Sequence, residues 1–410
     1  MQVVSGHDGG ECVRRHSYTA RDGYGNRAAV LDHSLAVVKI NHVWIESEAD
    51  QENQRSVINT MLAIHDSRSG FHPHWVDYCR KNGIPYKVVD CYAGNIVEQV
   101  KDCRALLWHH SHSDPRDILI ARQILFALEH GGLTVFPDFR TAWHFDDKIG
   151  QKYLFEALDI PRLPTYVFVK RTPALEWAST TDYPKVFKLR HGASSSCVRI
   201  VRNESQARRL IRHAFGRGLP VYSPWDNLKE RIYKWRRGES DAIDLAKGVG
   251  RFFYRPHFSK VLGRQTGYVL FQDFAPDNDS DLRITVVGDK AYGVRRWVRP
   301  GDFRASGSGR HLHGPEHVDI EAVAMAFRLA RKLGSSCLAC DIVCKPDGGL
   351  AVVEVSYGFR FRGNSPGFWD SSLNWHAVKF RPEYWMLDLV LSDLDRKEAP
   401  ARPGSLLEID

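Results

Sequence analysis

From Ser56 onward the sequence alternates short β-rich runs with helical segments, and this alternation restricts the fold more than any other feature. It is typical of a parallel sheet whose strands are joined by crossover helices. Strands are predicted in SVINTMLAI, YKVVD, ALLWHH and LTVF, separated by helices over residues 73–81, 95–103 and 115–129. HDSRSG follows the first strand where a dinucleotide fold would carry G-x-G-x-x-G, so NAD is not the predicted ligand.

A second unit begins near Thr141 and mixes strands with fewer helices. Strands are predicted in TYVFV, KVFKL, VRIV, YVLFQDF, RITVVGD and KAYGVRRWV, and in the pair LACDIVC and LAVVEVS, which the turn KPDGG joins. Helices are predicted from 146 to about 158, after Asn203, and over 318–332. The fold class is therefore α/β and α+β. The predicted organisation is an N-terminal arm (1–55), an open α/β domain (56–140), a two-sheet domain (141–395, with an insertion at 219–266) and a tail (396–410).

Composition and charge exclude several classes of protein. With 43% hydrophobic and 26% charged residues, the 410-residue chain is neither disordered nor fibrous. Its apolar runs are shorter than the roughly 20 residues that cross a bilayer. These features predict a cytoplasmic, unprocessed protein without a membrane span, and they leave a homodimer open.

The net charge of +8 is concentrated in one segment. Residues 227–264 hold ten basic and four acidic side chains, and aromatic residues lie among them. Such a segment could bind single-stranded nucleic acid, a tRNA or an anionic glycan. The interpretation favoured here is a basic helical lid over an active site.

Two groups of potential metal ligands are ambiguous. Cys337, Cys340 and Cys344 have no second ligand pair at zinc-finger spacing, and their run alternates like a strand, so small buried residues are expected rather than zinc. His109, His110 and His112 follow a predicted strand. A metal site, a substrate contact and ordinary polar residues all remain open for these histidines, although neighbouring positions on a strand point to opposite faces.

Two further motifs favour phosphate chemistry without proving it. The loop RHGASSS directly follows the strand that ends in Lys188, and such a loop can close backbone N–H groups over a polyphosphate. A plain surface turn is the alternative. Asp341 and Glu354 lie on strands joined by a tight turn, close enough to share Mg²⁺, unless they are solvent-facing acids.

The order of these motifs resembles the ATP-grasp superfamily, most nearly its glutathione synthetase and ribosomal-protein glutamate ligase branch. The similarity covers residues 56 to about 360. It extends to bacterial ATP-grasp proteins of unassigned substrate that share DDK, FRASGSG and an aromatic segment matching residues 366–376. The motifs in order are Asp147-Lys148, Lys188 with its loop, Gln272-Asp273-Phe274, Asp281-x-Arg283 with VVGDK, Arg296, FRASGSGR, Asp341, and Glu354-Val355-Ser356.

The resemblance implies a nucleotide site. Lys148 and Lys188 are implied to reach the ATP phosphates, under a lid formed by Gly192, Ser194, Ser195 and Ser196. Adenine is implied to be held by backbone groups of the hinge Gln272, Asp273, Phe274 and Ala275. The nucleotide and metal side is implied to be lined by Asp281 and Arg283.

The same resemblance implies the metal ligands and the catalytic cations. Mg²⁺ is assigned to Asp341, Glu354 and Ser356. Ser356 departs from the family pattern, which has Asn there, and this puts a second Mg²⁺ in doubt. The role of stabilising developing negative charge is assigned to Arg296, Arg304 and Arg310, because a fixed cation stabilises a transferred phosphoryl group or an oxyanion.

The activity that the resemblance implies is ATP-dependent ligation of a carboxylate to an amine through an acyl phosphate, with release of ADP and phosphate. The implied partners are small carboxylate and amine substrates, such as an amino acid and a glycan or peptide precursor. Nucleic acid is disfavoured without being excluded. Two alternatives remain: phosphoryl transfer to a small acid or sugar, and a nucleotide-binding regulatory protein that has lost ligation.

Overall fold

The computed structural model describes residues 61–67, 70–192, 198–236, 238, 240–254, 256–299, 303–305 and 309–398. The predicted arm (1–55) and the end of the predicted tail lie outside these residues. None of the helices in the described part is both long and apolar enough to cross a bilayer.

The first domain is a parallel sheet, as the alternation of strand and helix predicts. Its strand order is β2-β1-β3-β4, and all neighbouring strands are parallel. Strand β2 is thus added on one side of β1, and β3 and β4 on the other. In open α/β sheets, ligands bind at the carboxyl ends of the strands at such a switch point. The elements are β1 (Leu62–His65), α1 (His72–Asn82), β2 (Tyr86–Val89), α2 (Ile96–Gln99), β3 (Ala105–Leu107), α3 (Pro115–His130) and β4 (Thr134–Phe136).

The second sheet is antiparallel, with strand order β5-β10-β6-β7. Aromatic and aliphatic residues that include Trp177, Phe187 and Phe271 form its core against α6 and α7. The elements in this part are α4 (Phe139–Ala142), α5 (Lys148–Ala157), β5 (Thr165–Phe168), α6 (Arg171–Thr180), β6 (Lys185–Lys188), β7 (Arg199–Val201), α7 (Glu204–Ala214), β8 (Leu219–Pro220), α8 (Pro224–Arg236), α9 (Ala242–Gly250), α10 (His257–Leu262), β9 (Arg264–Gln265) and β10 (Val269–Asp273).

The third sheet has the order β15-β14-β11-β12-β16-β17, with β13 beside β12. Its buried face packs on α11, and its core continues into the first domain through Trp75, Tyr357 and Met386. The elements are β11 (Ser280–Val287), β12 (Lys290–Trp297), β13 (His311–His313), α11 (Ile320–Leu333), β14 (Cys337–Cys344), β15 (Leu350–Ser356), β16 (Phe368–Asp370), β17 (Trp375–His376) and α12 (Pro382–Glu398).

Three helices differ from the sequence-based expectation. Helix α5 begins two residues later than predicted, because Asp146 has a left-handed backbone (φ 52°) and Asp147 caps the helix by accepting from the Gly150 N–H. The sequence analysis predicted neither α6 nor α12. Met386 and Leu387 of α12 are buried in the core that the first domain shares with the third sheet. This helix is therefore part of the core.

Candidate active site

A cavity of about 1290 Å³ lies where the three sheets meet. Its wall combines the carboxyl ends of β1 and β3, the start of α5, the facing strands of the second sheet, and strands β11, β14 and β15 of the third. Most of the polar residues that the sequence analysis selected line this one cavity. They are Lys148, Lys188, Gly192, Gln272, Asp273, Asp281, Arg283, Arg304, Asp341, Glu354 and Ser356.

The Asp146-Asp147-Lys148 turn places one lysine in the cavity. The Gly192 N–H donates to Asp146 Oδ1 (2.9 Å), and the Arg190 guanidinium donates two hydrogen bonds to the Asp147 carboxylate (2.9 and 2.5 Å). Each acid therefore connects the start of α5 to the loop after β6. Lys148, the first residue of α5, is buried beside these contacts.

Lys148 is held by oxygen atoms on both sides. Its Nζ donates to the Gly192 carbonyl (3.0 Å) and lies 3.1 Å from Glu354 Oε1. Burial disfavours the charged form, but Glu354 and Asp146 outweigh it and raise the pKa of Lys148. This lysine is thus a fixed positive charge beside the third sheet.

Lys188 ends β6 and is equally buried, but its surroundings compensate its charge less. Its Nζ donates to Gln272 Oε1 (2.7 Å), and Gln272 Nε2 in turn donates to Thr165 Oγ1 (3.0 Å). Burial, with a smaller contribution from Lys148, lowers the pKa of Lys188 to about 8, against the attraction of Glu354. An anion bound in the cavity would therefore supply the counter-charge that Lys188 lacks.

Four alternating charges cross β11, β12 and β14. Arg296 donates to both oxygens of Asp281 (2.7 and 2.6 Å) and lies 3.0 Å from Asp341 Oδ2. Arg283 donates to both oxygens of Asp341 (2.7 and 2.8 Å). Burial favours the neutral acid, yet the two guanidinium groups outweigh it and hold the pKa of Asp341 well below its usual range. Asp341 is therefore an anion in the folded chain.

The structure brings the predicted metal ligands together in part. Asp341 and Glu354 are directly paired across β14 and β15, at a point where the register shifts. The Ser356 hydroxyl instead donates to the carbonyl of Gly358 (2.9 Å). Within the described residues, no set of three or more His, Cys, Asp and Glu side chains is arranged to hold a metal ion.

One end of the cavity is apolar and lies beside the predicted hinge. Gln272 and Asp273 end β10, and the Asp273 N–H donates a hydrogen bond to the Pro164 carbonyl (2.9 Å). Phe274 and Ala275 follow the strand and also line the cavity. The sequence analysis did not assign the apolar side chains that complete this end, since nothing in the sequence marks an apolar residue of a strand or loop as a ligand contact. They are Leu163, Val186, Phe303, Val343 and Val353.

Three similar proteins carry information about the fold. No protein-family model matches the sequence. A curated relative, the alpha-aminoadipate–LysW ligase LysX of Saccharolobus solfataricus, is 22% identical over 232 residues, which are 56% of this chain and 68% of that protein. The solved structure of a RimK domain ATP-grasp protein from Sphaerobacter thermophilus has a TM-score of 0.50 and 18% identity, and the match covers 81% of this chain and all of that one. The chain has the ATP-grasp fold.

D-alanyl-alanine synthetase A of Vibrio cholerae has a similar structure, with a TM-score of 0.50, 12% identity, and coverage of 83% of this chain and 99% of the synthetase. At these identities the similarity establishes the ATP-grasp fold and leaves the chemistry of this chain to its own residues. The fold prediction made from the motif order is confirmed.

Within the ATP-grasp fold, the three predicted catalytic arginines occupy different places. Arg304 lines the cavity. Arg296 lies behind the wall with 5% of its side chain exposed, between Asp281 and Asp341. Arg310, near the end of the FRASGSGR loop, is not among the described residues that line the cavity. Ser194, Ser195 and Ser196 lie outside the described residues.

The histidines at the end of β3 enter the cavity wall in different ways. His109 accepts a hydrogen bond from the Phe71 N–H (3.0 Å) and stacks on the Phe71 ring at 3.7 Å, and burial lowers its pKa to about 3. His110 is 3% exposed. Burial lowers the pKa of His112, against the attraction of Asp146 and Glu354. All three histidines line the cavity.

The cysteine motif belongs to the ATP-grasp core. Cys337 and Cys340 are buried in β14, while Cys344 is exposed at its end. Burial raises the pKa of both buried thiols. The predicted strand is confirmed: Cys340 packs in the core that contains α11, and Cys337 packs in the core that the third sheet shares with the first domain.

Proposed function

We propose that this protein is an ATP-dependent ligase that joins a carboxylate to an amine through an acyl phosphate. One observation carries the proposal: two buried lysines and two paired carboxylates line the same cavity as the apolar side chains beside the predicted hinge. Buried ammonium groups are costly unless anions compensate them. A polyphosphate in the cavity would compensate Lys188, whose present partner is a neutral amide.

The residues present fit ATP and Mg²⁺. Mg²⁺ usually takes one or two protein carboxylates and completes its coordination with phosphate oxygens and water, so Asp341 and Glu354 suffice without a third acid. The bound metal would neutralise charge on the phosphates during transfer. Glu354 would then exchange part of its contact with Lys148, and Asp341 part of its contact with Arg283, for the metal.

The proposed reaction balances in two steps. A substrate carboxylate oxygen bonds to the γ-phosphorus while the bond between the β- and γ-phosphoryl groups breaks, and ADP leaves. An amine then attacks the acyl carbon, the amide forms, and phosphate leaves with loss of one proton from nitrogen. Lys148 and Lys188 would orient the phosphates, and Arg304 on the wall would stabilise charge on the oxygens. No covalent bond to the protein is required.

The comparisons favour ligation over the alternatives. LysX is named as a ligase and D-alanyl-alanine synthetase A as a synthetase. Phosphoryl transfer to a sugar would use the same lysines, so the site itself does not favour it. A regulatory protein would not need Asp341 and Glu354 paired beside the lysines. We propose small substrates, with an amino acid as one of them and a glycan or peptide precursor as the other, because the cavity reaches the polar end of the first domain.

A coupled ADP assay over a panel of carboxylates and amines tests the proposal. We expect ADP release that requires both an acid and an amine for full turnover. Glu354→Gln should reduce turnover at least about tenfold, equivalent to 1.4 kcal/mol, because the neutral amide holds Mg²⁺ poorly. The control is Asp347→Asn, which changes an exposed acid in the turn between the same two strands. Equal activity of Glu354→Gln and the control would contradict the proposed metal site.

A further inference from the structure

Helices α8, α9 and α10 expose an unusual amount of apolar surface. Seven large apolar side chains between residues 225 and 254 are at least 38% exposed, and Phe253 reaches 90%. In the three helices, Gly248 is the one buried residue. We define the insertion surface by these side chains: Trp225, Trp235, Ile243, Val249, Phe252, Phe253 and Tyr254.

Basic residues surround this apolar surface. The segment 227–264 carries a net charge of +6 in a chain of net charge +8. Within it, Arg231 pairs with Asp244 and Lys234 pairs with Glu230. Lys247 and Lys260 are exposed, and Lys260 lies 5.2 Å from the Tyr254 ring. Positive charge is thus left over next to exposed aromatic rings.

The insertion surface is close to the cavity in the fold. Strands β8 and β9 pair with each other and hold the base of the insertion. Helix α10 contacts α3, whose first residues, Pro115 to Asp117, line the cavity. The Arg299 guanidinium lies 5.4 Å from the Tyr233 ring of α8, just before the loop that contains Arg304. A partner on this surface would therefore lie beside the cavity.

We propose that the insertion surface docks an acidic polypeptide segment that carries apolar side chains. Large exposed apolar patches mark interaction sites, and a charge of +6 calls for an anionic partner. A second copy of this chain is not favoured by overall charge, since the chain outside residues 227–264 has a net charge of +2. This docking does not depend on the reaction that the cavity performs.

Two other anionic partners fit the surface less well. Single-stranded nucleic acid binds to aromatic rings that offer flat faces for bases. Here Trp225 meets Phe252 edge-on at 84°, and Ile243 and Val249 have no ring. An interfacial membrane helix carries its apolar residues along one face of a single helix. Here the exposed apolar side chains are divided between α8, α9 and residues 252–254, which follow α9.

Peptide selection on the full-length chain tests the proposal. Random peptides displayed on phage are selected, and the recovered sequences are labelled for fluorescence anisotropy. We expect Asp and Glu interspersed with apolar residues, and a Kd that rises with NaCl because screening weakens charge pairs. The double variant Phe253→Ser, Lys247→Glu should weaken binding at least about tenfold. The matched control, Val169→Ser with Lys170→Glu, changes an exposed apolar and an exposed basic residue in the bend after β5, and should bind as wild type.

Three outcomes would overturn the proposal. One is recovery of peptides without acidic enrichment. A second is equal binding by the surface variant and the control variant, both shown to be folded by thermal melting. The third is tighter binding, abolished by the same variant, to a poly(dT) oligonucleotide or to phosphatidylserine vesicles than to the selected peptides. ADP release is recorded separately, so failure of docking is distinguishable from failure of the proposed ligation.

Discussion

Lys188 shows how burial alone prepares a side chain for an anion. Its ammonium is 7% exposed, its direct partner is the neutral Gln272 amide, and its pKa falls to about 8. Lys148, equally buried, keeps a raised pKa because Glu354 lies 3.1 Å away. The two lysines of one cavity thus differ in pKa, because Glu354 contacts Lys148 directly while the direct partner of Lys188 is a neutral amide.

This difference predicts a proton linkage. Phosphates beside Lys188 should raise its pKa, so ATP binding at pH 8 should take up about half a proton, and affinity should fall as pH rises above about 8, by up to about tenfold per pH unit for one linked proton. Calorimetry in two buffers of different ionisation enthalpy measures the uptake. Lys188→Met should lose it and weaken ATP by roughly 1.5 to 3 kcal/mol. Lys87→Met, on a strand of the first domain, is the control; proton uptake that persists in Lys188→Met would contradict the assignment.

Arg296 illustrates a limit of reading a role from sequence. The resemblance assigns it to the transferred phosphoryl group, while the structure shows it between Asp281 and Asp341 behind the cavity wall. Its direct contact with substrate remains a prediction. Its structural contribution follows from burial, because removing one partner of a buried ion pair leaves the other charge uncompensated.

Arg296→Met should therefore lower the free energy of unfolding by about 3 kcal/mol or more. Urea unfolding measures this change. The control Arg310→Met should shift stability by less than about 1 kcal/mol, because the Arg310 side chain is exposed. An equal, small effect of both substitutions would show that the Asp281 and Asp341 charges do not need Arg296 in the folded chain.

At the scale of elements, the start of α5 combines helix capping with placement of a site lysine. Asp147 accepts from the Gly150 N–H and from Arg190, so one carboxylate begins the helix and holds the loop after β6. Helix α11 offers a comparison, because it begins with a cap of the same residue type, Asp319, which accepts a hydrogen bond from the Glu321 N–H. Substituting each aspartate separates the effect of helix capping from the effect of placing the lysine.

Asp147→Ala should lower both stability and ATP affinity, whereas Asp319→Ala should lower stability alone. Loss of a helix cap costs about 1 kcal/mol. Only Asp147 also fixes the backbone beside Gly192 and Lys148, so ATP should bind several-fold more weakly to that variant. Thermal melts and ATP titrations of both variants give the comparison. Unchanged ATP affinity in Asp147→Ala would mean that Lys148 is placed without this cap.

The elements also show what the sequence predicts and what it leaves out. The βα alternation predicts the first sheet, and the turn at Asp347 predicts the pairing of Asp341 with Glu354, because both signals are local in sequence. The ion pairs of Asp341 with Arg283 and Arg296 join residues 58 and 45 positions apart, so only the sheet register reveals them. The apolar wall of the cavity has no sequence signal either, since Val186 and Val343 read as ordinary strand residues.

On the scale of the whole molecule, three sheets place lysines from the second part of the chain opposite carboxylates from the third, with the polar edge of the first domain beside them. No single sheet contains the site. This arrangement suits a reaction in which a nucleotide and two substrates must meet with water kept away, and positioning alone can contribute several kcal/mol to such a reaction. The fold is established by comparison, and ligation is the central claim that chemistry must test.

The most direct measurement of that claim is trapping with hydroxylamine. The protein, MgATP and each candidate acid are mixed with hydroxylamine in place of the natural amine, and products are identified by mass spectrometry. We expect a hydroxamate of one acid, formed with an equal amount of ADP and absent in Glu354→Gln. ADP formed together with a phosphorylated sugar and no hydroxamate, or tight ATP binding with no acid that elicits ADP, would contradict the proposed ligation.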